Sequence, residues 1–313
     1  MSLGAPLRFA PVYQSVVWGG ERIAALRSGV PTGPVGEAWD LADHSRGMSV
    51  VAHGPLAGRS LRELARDHGA ALLGRELDGA TFPLMVKLID ARDRLSVQVH
   101  PDDALAREMG LADGGKTECW YVVADGTLYV GTEPGVDAAA FEAARVEGRM
   151  ESALARHSVR RGDFVYLPAR TVHAIGAGCL LLEVQQTSDN TFRVDDWGRL
   201  GLDGKPRPLH VEASRRAIDF SLRPTVVALD AEGRPRGRLV DGPFFTLDEV
   251  TADGAQRETR RCVAVTALGA AEVWTPAGTL ALGALETALV PADAGLYAVR
   301  GEPGALVLLS EPC

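Results

Sequence analysis

Short apolar runs of strand length recur along the whole sequence and limit the folds that it can adopt. Gly, Pro and Asp bound these runs, as turns require, and the chain carries 35 Gly and 18 Pro. No glycine-rich phosphate loop joins a strand to a helix, and strands do not alternate regularly with helices. A mainly β protein is therefore predicted, with strands at Met48–Val51, Leu84–Leu88, Leu95–Val99, Glu118–Val123, Leu128–Gly131, Phe164–Leu167 and Leu180–Gln185.

Helical patterns are confined to a few segments. Ser60–Leu73 begins with a predicted capping box, because Glu63 follows Ser60 by three residues. Ala138–His157 is rich in Ala, Glu and Arg, and Val211–Phe220 has the third pattern.

One unit of sequence has a weaker echo near the carboxyl end. Gly162–Ala169 leads to His173 and to an apolar strand, and Leu289–Ala292 leads to Leu296 and to another apolar strand, Ala305–Leu309. Either a second β-unit has lost its polar residues, or the likeness is coincidental, because strand–Pro–Ala–turn–strand is a common hairpin pattern.

Alignment of the two prolines in this echo gives the residue correspondence. His173 then falls opposite Leu296, and Glu183 falls opposite Leu306. The Pro- and Gly-rich link Leu222–Arg238 is a plausible boundary. We therefore predict a site-bearing domain of residues 1–222 and a second, metal-less β domain of residues 223–313.

Charge and hydropathy exclude several classes of partner. Asp and Glu number 41 against 33 Lys and Arg, a formal charge of −8, so nucleic acid is not expected to bind. A small phosphorylated substrate is compatible, because a few local cations in a cleft can outweigh the global charge. No secretory signal or membrane-spanning run is recognised, so the protein is expected to be cytoplasmic.

The segment Leu95–His100 alternates strictly between apolar and polar residues. On a strand this pattern places Ser96, Gln98 and His100 on one face and Leu95, Val97 and Val99 on the other. A Ser/Gln/His row facing a barrel interior needs partners for every polar group. The row therefore indicates a polar site.

Further polar residues could complete that site. Lys116 and Glu118 share a face by the same alternation, and an antiparallel neighbour could present Glu118 to His100. With His173, near the start of a hairpin strand, these residues supply the mixed nitrogen and oxygen ligands suited to Zn²⁺ and acceptable to Mn²⁺, Fe²⁺ or Co²⁺. Hydrogen-bonded structural histidines are the alternative interpretation of the same pattern.

At these residues the chain resembles the short bacterial form of type I mannose-6-phosphate isomerases, which are cupin-fold enzymes. The resemblance covers most of the sequence, with several separate motifs in the family's order. Those motifs are Pro11–Tyr13, Val17–Gly20, Gly36–Trp39, Phe82–Lys87, Leu95–Asp103, Gly115–Trp120, Pro168–Ala174, Thr191–Arg193 and Asp196.

The resemblance implies two cupin-type double-stranded β-helix (jelly-roll) barrels with a few covering helices, Ala138–His157 among them. It implies that Gln98, His100, Glu118 and His173 hold one zinc ion. It also implies a metal-dependent aldose–ketose isomerase, acting on mannose 6-phosphate and fructose 6-phosphate through an enediol, as a monomer or homodimer. Arg170 departs from the family pattern, which often has glycine at this turn.

The resemblance also suggests roles for the other polar residues. Arg193 is expected to stabilise the enediolate or orient the substrate, the alternative being an ion pair with Asp195 or Asp196. Glu183 either transfers a proton or supports His173 or Lys116. Lys116 is expected to be a cation near the substrate, and Ser96 and Lys87 are expected to contact the substrate. Lys87 and Arg170 are possible phosphate contacts.

Three rival functions are compatible with the sequence. An isomerase of another sugar or sugar phosphate would use the same residues. A cupin oxygenase would need iron with two adjacent open positions, against which Gln98, Lys116 and Arg193 weigh. A sugar-sensing module with a vestigial site would lack turnover, and the complete polar set weighs against it.

Overall fold

A computed structural model describes residues 3–79, 81–229 and 235–313. Within these ranges the chain forms 25 β-strands and five α-helices. The helices are α1 (Arg22–Leu26), α2 (Leu61–Leu73), α3 (Asp103–Glu108), α4 (Ala138–Val146) and α5 (Val211–Ala217). Short 3₁₀ turns cover Arg75–Leu77, Met150–Ala153 and Ala292–Ala294. None of the helices described is both long and apolar enough to cross a bilayer.

Strands β1 to β16 precede residue 229. They are β1 (Leu7–Ala10), β2 (Val12–Gly20), β3 (Val35–Leu41), β4 (Asp43–His44), β5 (Gly47–Met48), β6 (Val50–Val51), β7 (Leu84–Asp90), β8 (Val97–Val99), β9 (Glu118–Ala124), β10 (Gly126–Thr132), β11 (Leu154–Val159), β12 (Phe164–Leu167), β13 (His173–Ile175), β14 (Leu180–Gln186), β15 (Phe192–Asp195) and β16 (Val226–Val227). Strands β17 to β25 follow it. They are β17 (Gly237–Asp241), β18 (Phe245–Thr251), β19 (Asp253–Glu258), β20 (Val263–Ala267), β21 (Ala271–Thr275), β22 (Gly278–Leu282), β23 (Thr287–Val290), β24 (Leu296–Gly301) and β25 (Leu306–Pro312).

Two eight-stranded barrels have the same connectivity. In the first, sheet neighbours run β12-β9-β14-β7 and β11-β10-β13-β8. In the second they run β23-β20-β25-β18 and β22-β21-β24-β19. Numbered from one to eight, both barrels pair strands 6-3-8-1 and 5-4-7-2, which is the jelly-roll order. The mainly β prediction and the two cupin-type barrels are confirmed.

The predicted sequence echo corresponds to equivalent strands of the two barrels. β12 and β23 both end just before the aligned prolines, and His173 and Leu296 both open the strand that follows. The pairing of Glu183 with Leu306 was wrong. Glu183 lies opposite Trp120, and the equivalent pair in the second barrel is Leu309 and Val265. The sequence alignment slipped because β24 has six residues and β13 has three.

The chain divides into two compact units. The metal-site unit comprises Tyr13–Ala38 and Leu88–Ala228, and the C-terminal unit comprises Met1–Val12, Trp39–Lys87 and Leu229–Cys313. The predicted division at residue 222 places residues 1–12 and 39–87 in the first domain, whereas they belong to the C-terminal unit here. The division into two domains at residue 222 stays a prediction. Residues 230–234 of the predicted link lie outside the described residues.

Local contacts explain why early residues join the C-terminal unit. β1 adds to the edge of the second barrel, with Leu7 opposite Leu289 on β23. The end of α2 is tied to the same barrel, because the Cys262 N–H donates to the Leu73 carbonyl at 3.2 Å. These backbone pairings link segments that are nearly 200 residues apart or more in the sequence.

The helix predictions succeed at the starts of the helices and fail at the carboxyl ends of two of them. Ser60 and Glu63 form the predicted capping box of α2. The predicted helix Ala138–His157 stops at Val146, because Gly148 has a left-handed φ of 68° and the chain then enters β11. The predicted Val211–Phe220 helix ends at Ala217.

The strand predictions fail at two places. The predicted strand Met48–Val51 is broken at Ser49, whose buried hydroxyl accepts the Ala42 N–H at 2.9 Å. β8 begins at Val97, two residues later than predicted, and Leu95 belongs to the apolar core inside the barrel.

The helices α4 and α5 cover one outer face of the first barrel, as predicted for α4. Val97 and Val99 of β8 share an apolar cluster with Phe141 and Ala144 of α4. The Phe141 and Phe220 rings meet edge to face, with centroids 5.5 Å apart. Since the apolar face of β8 packs under α4, its alternate face is directed into the barrel.

Arg170 occupies its turn with a left-handed φ of 74°. Its side chain is held at the end of α5, where Nε donates to the Ala217 carbonyl at 3.0 Å. The strain of an L-residue here is offset by this bond and by the Arg170 N–H to His100 carbonyl bond of 2.8 Å.

Two substitutions of Arg170 separate the backbone strain from the loss of the side-chain hydrogen bond to Ala217. Arg170→Ala loses the guanidinium and keeps the strain, whereas Arg170→Gly loses both. We expect the alanine variant to be less stable than the glycine variant by about 1 kcal/mol in the free energy of unfolding. Urea unfolding of both proteins measures this difference, and equal midpoints would show that φ is not strained.

Candidate metal centre and active site

Three buried side chains converge inside the first barrel. The His100 Nε2 atom lies 3.4 Å from Glu118 Oε2, and the His173 Nε2 atom lies 3.3 Å from Glu118 Oε1. All three residues are at most 2% exposed, and their ligand atoms lie within 4.8 Å of one another. Among the described residues this is the one His/Cys/Asp/Glu group with the spacing of a metal site.

The strands bring these residues together across the barrel. His173 opens β13 and lies opposite Gln98 of β8, and His100 follows the end of β8. Glu118 opens β9, which belongs to the other sheet. The expectation that Glu118 reaches His100 from a neighbouring strand was therefore wrong. The two residues meet face to face, from opposing sheets.

Backbone carbonyls fix how the two imidazoles are presented. His100 Nδ1 lies 2.8 Å from the Asn190 carbonyl, and His173 Nδ1 lies 2.9 Å from the Thr171 carbonyl. A carbonyl can only accept, so both Nδ1 atoms carry the proton and both Nε2 atoms present a lone pair to the centre. This is the arrangement in which neutral histidines bind metal ions.

The pKa shifts favour the same protonation states. Burial, together with the Lys116 ammonium, lowers the pKa of His100 to about 4, and burial also lowers the pKa of His173. Burial opposes ionisation of Glu118, but Lys116, His100 and His173 together outweigh it and hold that pKa well below its usual range. Near pH 7 the group therefore offers two neutral imidazoles and one carboxylate.

The facing ligand atoms of His173 and Glu118 need a cation between them. His173 Nε2 and Glu118 Oε1 are both acceptors at 3.3 Å, and Glu118 Oε1 is buried with no hydrogen-bond donor in the described part of the chain. Two acceptors at this distance repel unless a proton or a cation lies between them. The residues present thus fit a divalent metal ion.

Lys116 lies beside the centre, on the same face of its segment as Glu118, as predicted. Its Nζ atom is 2.5 Å from Glu118 Oε2 and 3.1 Å from His100 Nε2. Burial alone would lower the pKa of Lys116, but Glu118 and Glu183 raise it above its ordinary value. Lys116 is therefore a permanent buried cation at the site.

Gln98 occupies the centre of a row across three strands, between His173 on β13 and Arg193 on β15. Cross-strand partners share a face of the sheet, so the three side chains project to the same side. The Gln98 Nε2 atom lies 3.2 Å from His173 Nε2. Coordination through the amide oxygen requires the amide to turn by half a rotation, which exchanges the two atoms.

Arg193 is half-buried and is not paired with Asp195 or Asp196. Asp196 instead binds Arg199 at 2.7 Å and Arg207 at 2.5 Å. Arg193 donates from one terminal nitrogen to the Pro208 carbonyl at 2.8 Å. Its Nε atom is buried without an acceptor among the described residues. A donor in this state is available to a ligand oxygen.

Three predicted residues take positions that the sequence left open. Glu183 lies on β14, and its Oε2 atom accepts the Trp120 indole N–H at 2.8 Å. Ser96 is buried immediately before β8. Lys87 is buried on β7 in the C-terminal unit, with Nζ 5.0 Å from the centroid of the Trp39 ring.

Sequence reasoning missed residues that position the site. Trp120 places its ring edge-on to His173, with centroids 5.2 Å apart, and so links Glu183 to that histidine. Asn190 holds His100 through its carbonyl while its side chain donates to Asp113 and Gly114 carbonyls at 2.9 and 2.8 Å.

His210, which no sequence motif singles out, also belongs to this group. The backbone N–H of Arg193 donates to His210 Nδ1 at 3.1 Å. The backbone N–H of His210 donates to the Arg193 carbonyl at 2.8 Å. It therefore holds the backbone of Arg193 on the side of β15 opposite β8. A histidine beside a Pro–Leu turn carries no sequence signal for this role.

Replacing Trp120 with phenylalanine keeps the packing against His173 and removes the N–H to Glu183. Loss of a hydrogen bond to a charged group costs about 1.5–3 kcal/mol, and we expect that decrease in the free energy of unfolding. Thermal and urea unfolding measure it, with Trp274→Phe on β21 as the matched control. A decrease no larger than in the control would contradict the importance of this bond.

Known proteins were compared with this fold and site. A family model described as phosphomannose isomerase type I, catalytic domain, matches residues 7–118. The mannose-6-phosphate isomerase ManA of Bacillus subtilis is 40% identical over 256 residues, 80% of each chain. A mannose-6-phosphate isomerase of Streptococcus mutans is 37% identical over 257 residues, 78% of each chain. The crystal structure of the mannose 6-phosphate isomerase from B. subtilis superposes with a TM-score of 0.87 at 29% identity, covering 98% of this chain and 99% of that one.

The double jelly roll with a His/Glu/His group inside one barrel defines a cupin-class protein with a candidate metal site. Several relatives above 30% identity, matched over more than two thirds of both chains, narrow that class. The chain belongs to the type I phosphomannose isomerase family. The family recognised from the sequence motifs is confirmed.

Proposed function

We propose that this chain is a metal-dependent isomerase that interconverts mannose 6-phosphate and fructose 6-phosphate through an enediol intermediate. The observation that carries the proposal is the trio of inward-facing acceptors on His100, Glu118 and His173, beside the buried Lys116 cation. Aldose–ketose interconversion moves a proton between C1 and C2, so such a site must stabilise oxyanion charge and hold a base.

The proposed ligands of one Zn²⁺ ion are Gln98, His100, Glu118 and His173. Mixed nitrogen and oxygen donors without thiolates are typical of catalytic zinc, and other divalent transition metals suit the same set. When bound, the cation would supply Lewis acidity toward the substrate oxygens. The carbonyls of Asn190 and Thr171 keep the two histidines in the tautomer that this binding requires.

Two cations of the chain are proposed to act on the substrate. Arg193 keeps its charge at neutral pH although burial lowers its pKa, and its buried Nε donor can bind an enediolate oxygen. Lys116 stays protonated, because Glu118 and Glu183 raise its pKa. It is therefore suited to hold negative charge in place and unsuited to accept a proton.

Glu183 is proposed to take part in the proton transfer. The indole N–H of Trp120 donates to this buried carboxylate at 2.8 Å and fixes its position, as a base beside the substrate requires. Ser96 and Lys87 are proposed as substrate contacts, as the resemblance implies. A cytoplasmic location and a monomeric or homodimeric state complete the proposal.

The test is a coupled assay of mannose 6-phosphate conversion before and after exhaustive chelation. We expect turnover to disappear with the metal and to return on addition of Zn²⁺ or another divalent transition metal. Undiminished turnover in the chelated protein would reject metal dependence. Oxygen uptake measured in parallel identifies an oxygenase, and sugar binding without turnover identifies a sensing module.

A further inference from the structure

The second barrel lacks two of the metal ligands of the first and keeps an open polar end. The strand register gives the equivalent residues, since Leu167 pairs with Glu118 in the first barrel and Val290 pairs with Val263 in the second. Glu118 is thus replaced by Val263, and His173 by Leu296. These apolar residues cannot hold a cation.

A cavity of about 660 Å³ lies at this end of the second barrel. Its charged lining residues are Arg75, Glu76, Arg260, Arg261, Asp293 and Glu311. Arg261 precedes Val263 by two positions, as Lys116 precedes Glu118, and Asp293 follows its proline by two positions, as Arg170 does. The cavity therefore occupies the place in the second barrel that corresponds to the metal end of the first.

One acidic group of this cavity is paired with an arginine. Arg261 forms an ion pair with Glu76 and donates to the Pro312 carbonyl at 3.2 Å. Burial, and then the nearby Asp248, raise the pKa of Glu311 above its ordinary value. Asp293 has interactions of its own.

Two arginines remain available. Arg75 and Arg260 have side chains with no hydrogen bond or ion pair in the ranges that the structure covers. The turn at Gly74, with φ of 106°, brings the two segments together, because a Cβ there would lie 2.6 Å from the Arg260 carbonyl oxygen. Only glycine permits this approach, so the close contact between these two segments depends on Gly74.

We propose that this cleft, lined by Arg75, Arg260 and Arg261 at the mouth of the second barrel, binds a small phosphorylated metabolite without transforming it. Guanidinium groups present forked donors that match phosphate oxygens. The cavity is in the size range of small-molecule sites. Because the positions of Glu118 and His173 are apolar in the second barrel, the cleft is proposed as a binding site only, and it is independent of the proposed isomerase activity.

Calorimetric titration of the intact protein with inorganic pyrophosphate tests this site. The double variant Arg75→Gln/Arg260→Gln should bind pyrophosphate at the cleft about tenfold or more weakly than the unmodified protein. The control Arg161→Gln/Arg300→Gln removes the same number of exposed positive charges away from the cleft and should bind like the unmodified protein. Both variants should keep full isomerase turnover, which also verifies that they are folded.

Three results would overturn the proposal. The unmodified protein could fail to bind pyrophosphate. Both double variants could weaken binding equally, which would indicate attraction by net charge alone. The Arg75/Arg260 variant could retain all binding, which would place the anion elsewhere in the chain.

Discussion

Replacing His100 with alanine is expected to lower kcat/KM for mannose 6-phosphate by a thousandfold or more. The substitution removes one of three converging ligands, and a catalytic metal supplies several kcal/mol of transition-state stabilisation, which corresponds to about a thousandfold in rate. It also leaves Glu118 and Lys116 as a buried ion pair without their third partner. A coupled assay on the variant and the unmodified protein measures the effect.

The matched control is His53→Ala, which alters an exposed histidine outside the site. It should leave turnover unchanged. Far-ultraviolet circular dichroism of both variants separates a lost site from a lost fold. Turnover of folded His100→Ala at the unmodified rate would remove the proposed metal site from the mechanism.

Arg193 substitutions should produce the second large effect. Arg193→Ala removes the buried Nε donor proposed for the enediolate, and loss of one such donor costs about 10²–10³ in kcat. Arg193→Lys keeps the charge but not the forked geometry, so it should recover only part of the loss. The metal content of both variants should be unchanged, because Arg193 is not a proposed ligand.

A steady-state analysis distinguishes the proposed role of Arg193 from a structural one. The proposed role lowers kcat more than it raises KM. Arg161→Ala, at an exposed position, is the control and should have ordinary kinetics. A variant that loses its metal together with its activity would show instead that Arg193 maintains the fold of the site.

The sequence predicts β-strands best where turns bound them sharply. Phe164–Leu167 has the predicted bounds because Gly162 and Pro168 flank it. Composition alone could not end α4 at Val146, because the Ala, Glu and Arg pattern continues past the turn at Gly148. The assignment of Trp39–Lys87 to the C-terminal unit depends on long-range pairing, which no local pattern records.

The candidate site was predictable as a set of residues but not as a geometry. Alternation correctly placed Gln98 and His100 on the interior face, and the same residue patterns offered Glu118 and His173 as their partners. Glu118 and His100 meet across two facing sheets and not on neighbouring strands, because the jelly-roll connectivity places β8 and β9 in different sheets. The carbonyls of Asn190 and Thr171 could not be found, because any residue provides a carbonyl and only the fold directs it.

The central claim is that His100, Glu118 and His173 bind one metal ion, and metal content tests it most directly. Elemental analysis of the purified protein and of Glu118→Gln, which keeps the side-chain shape and removes the charge, should find about one divalent transition metal ion per unmodified chain and a large loss in the variant. Equal metal content in the two proteins, or none in an active unmodified enzyme, would contradict the account.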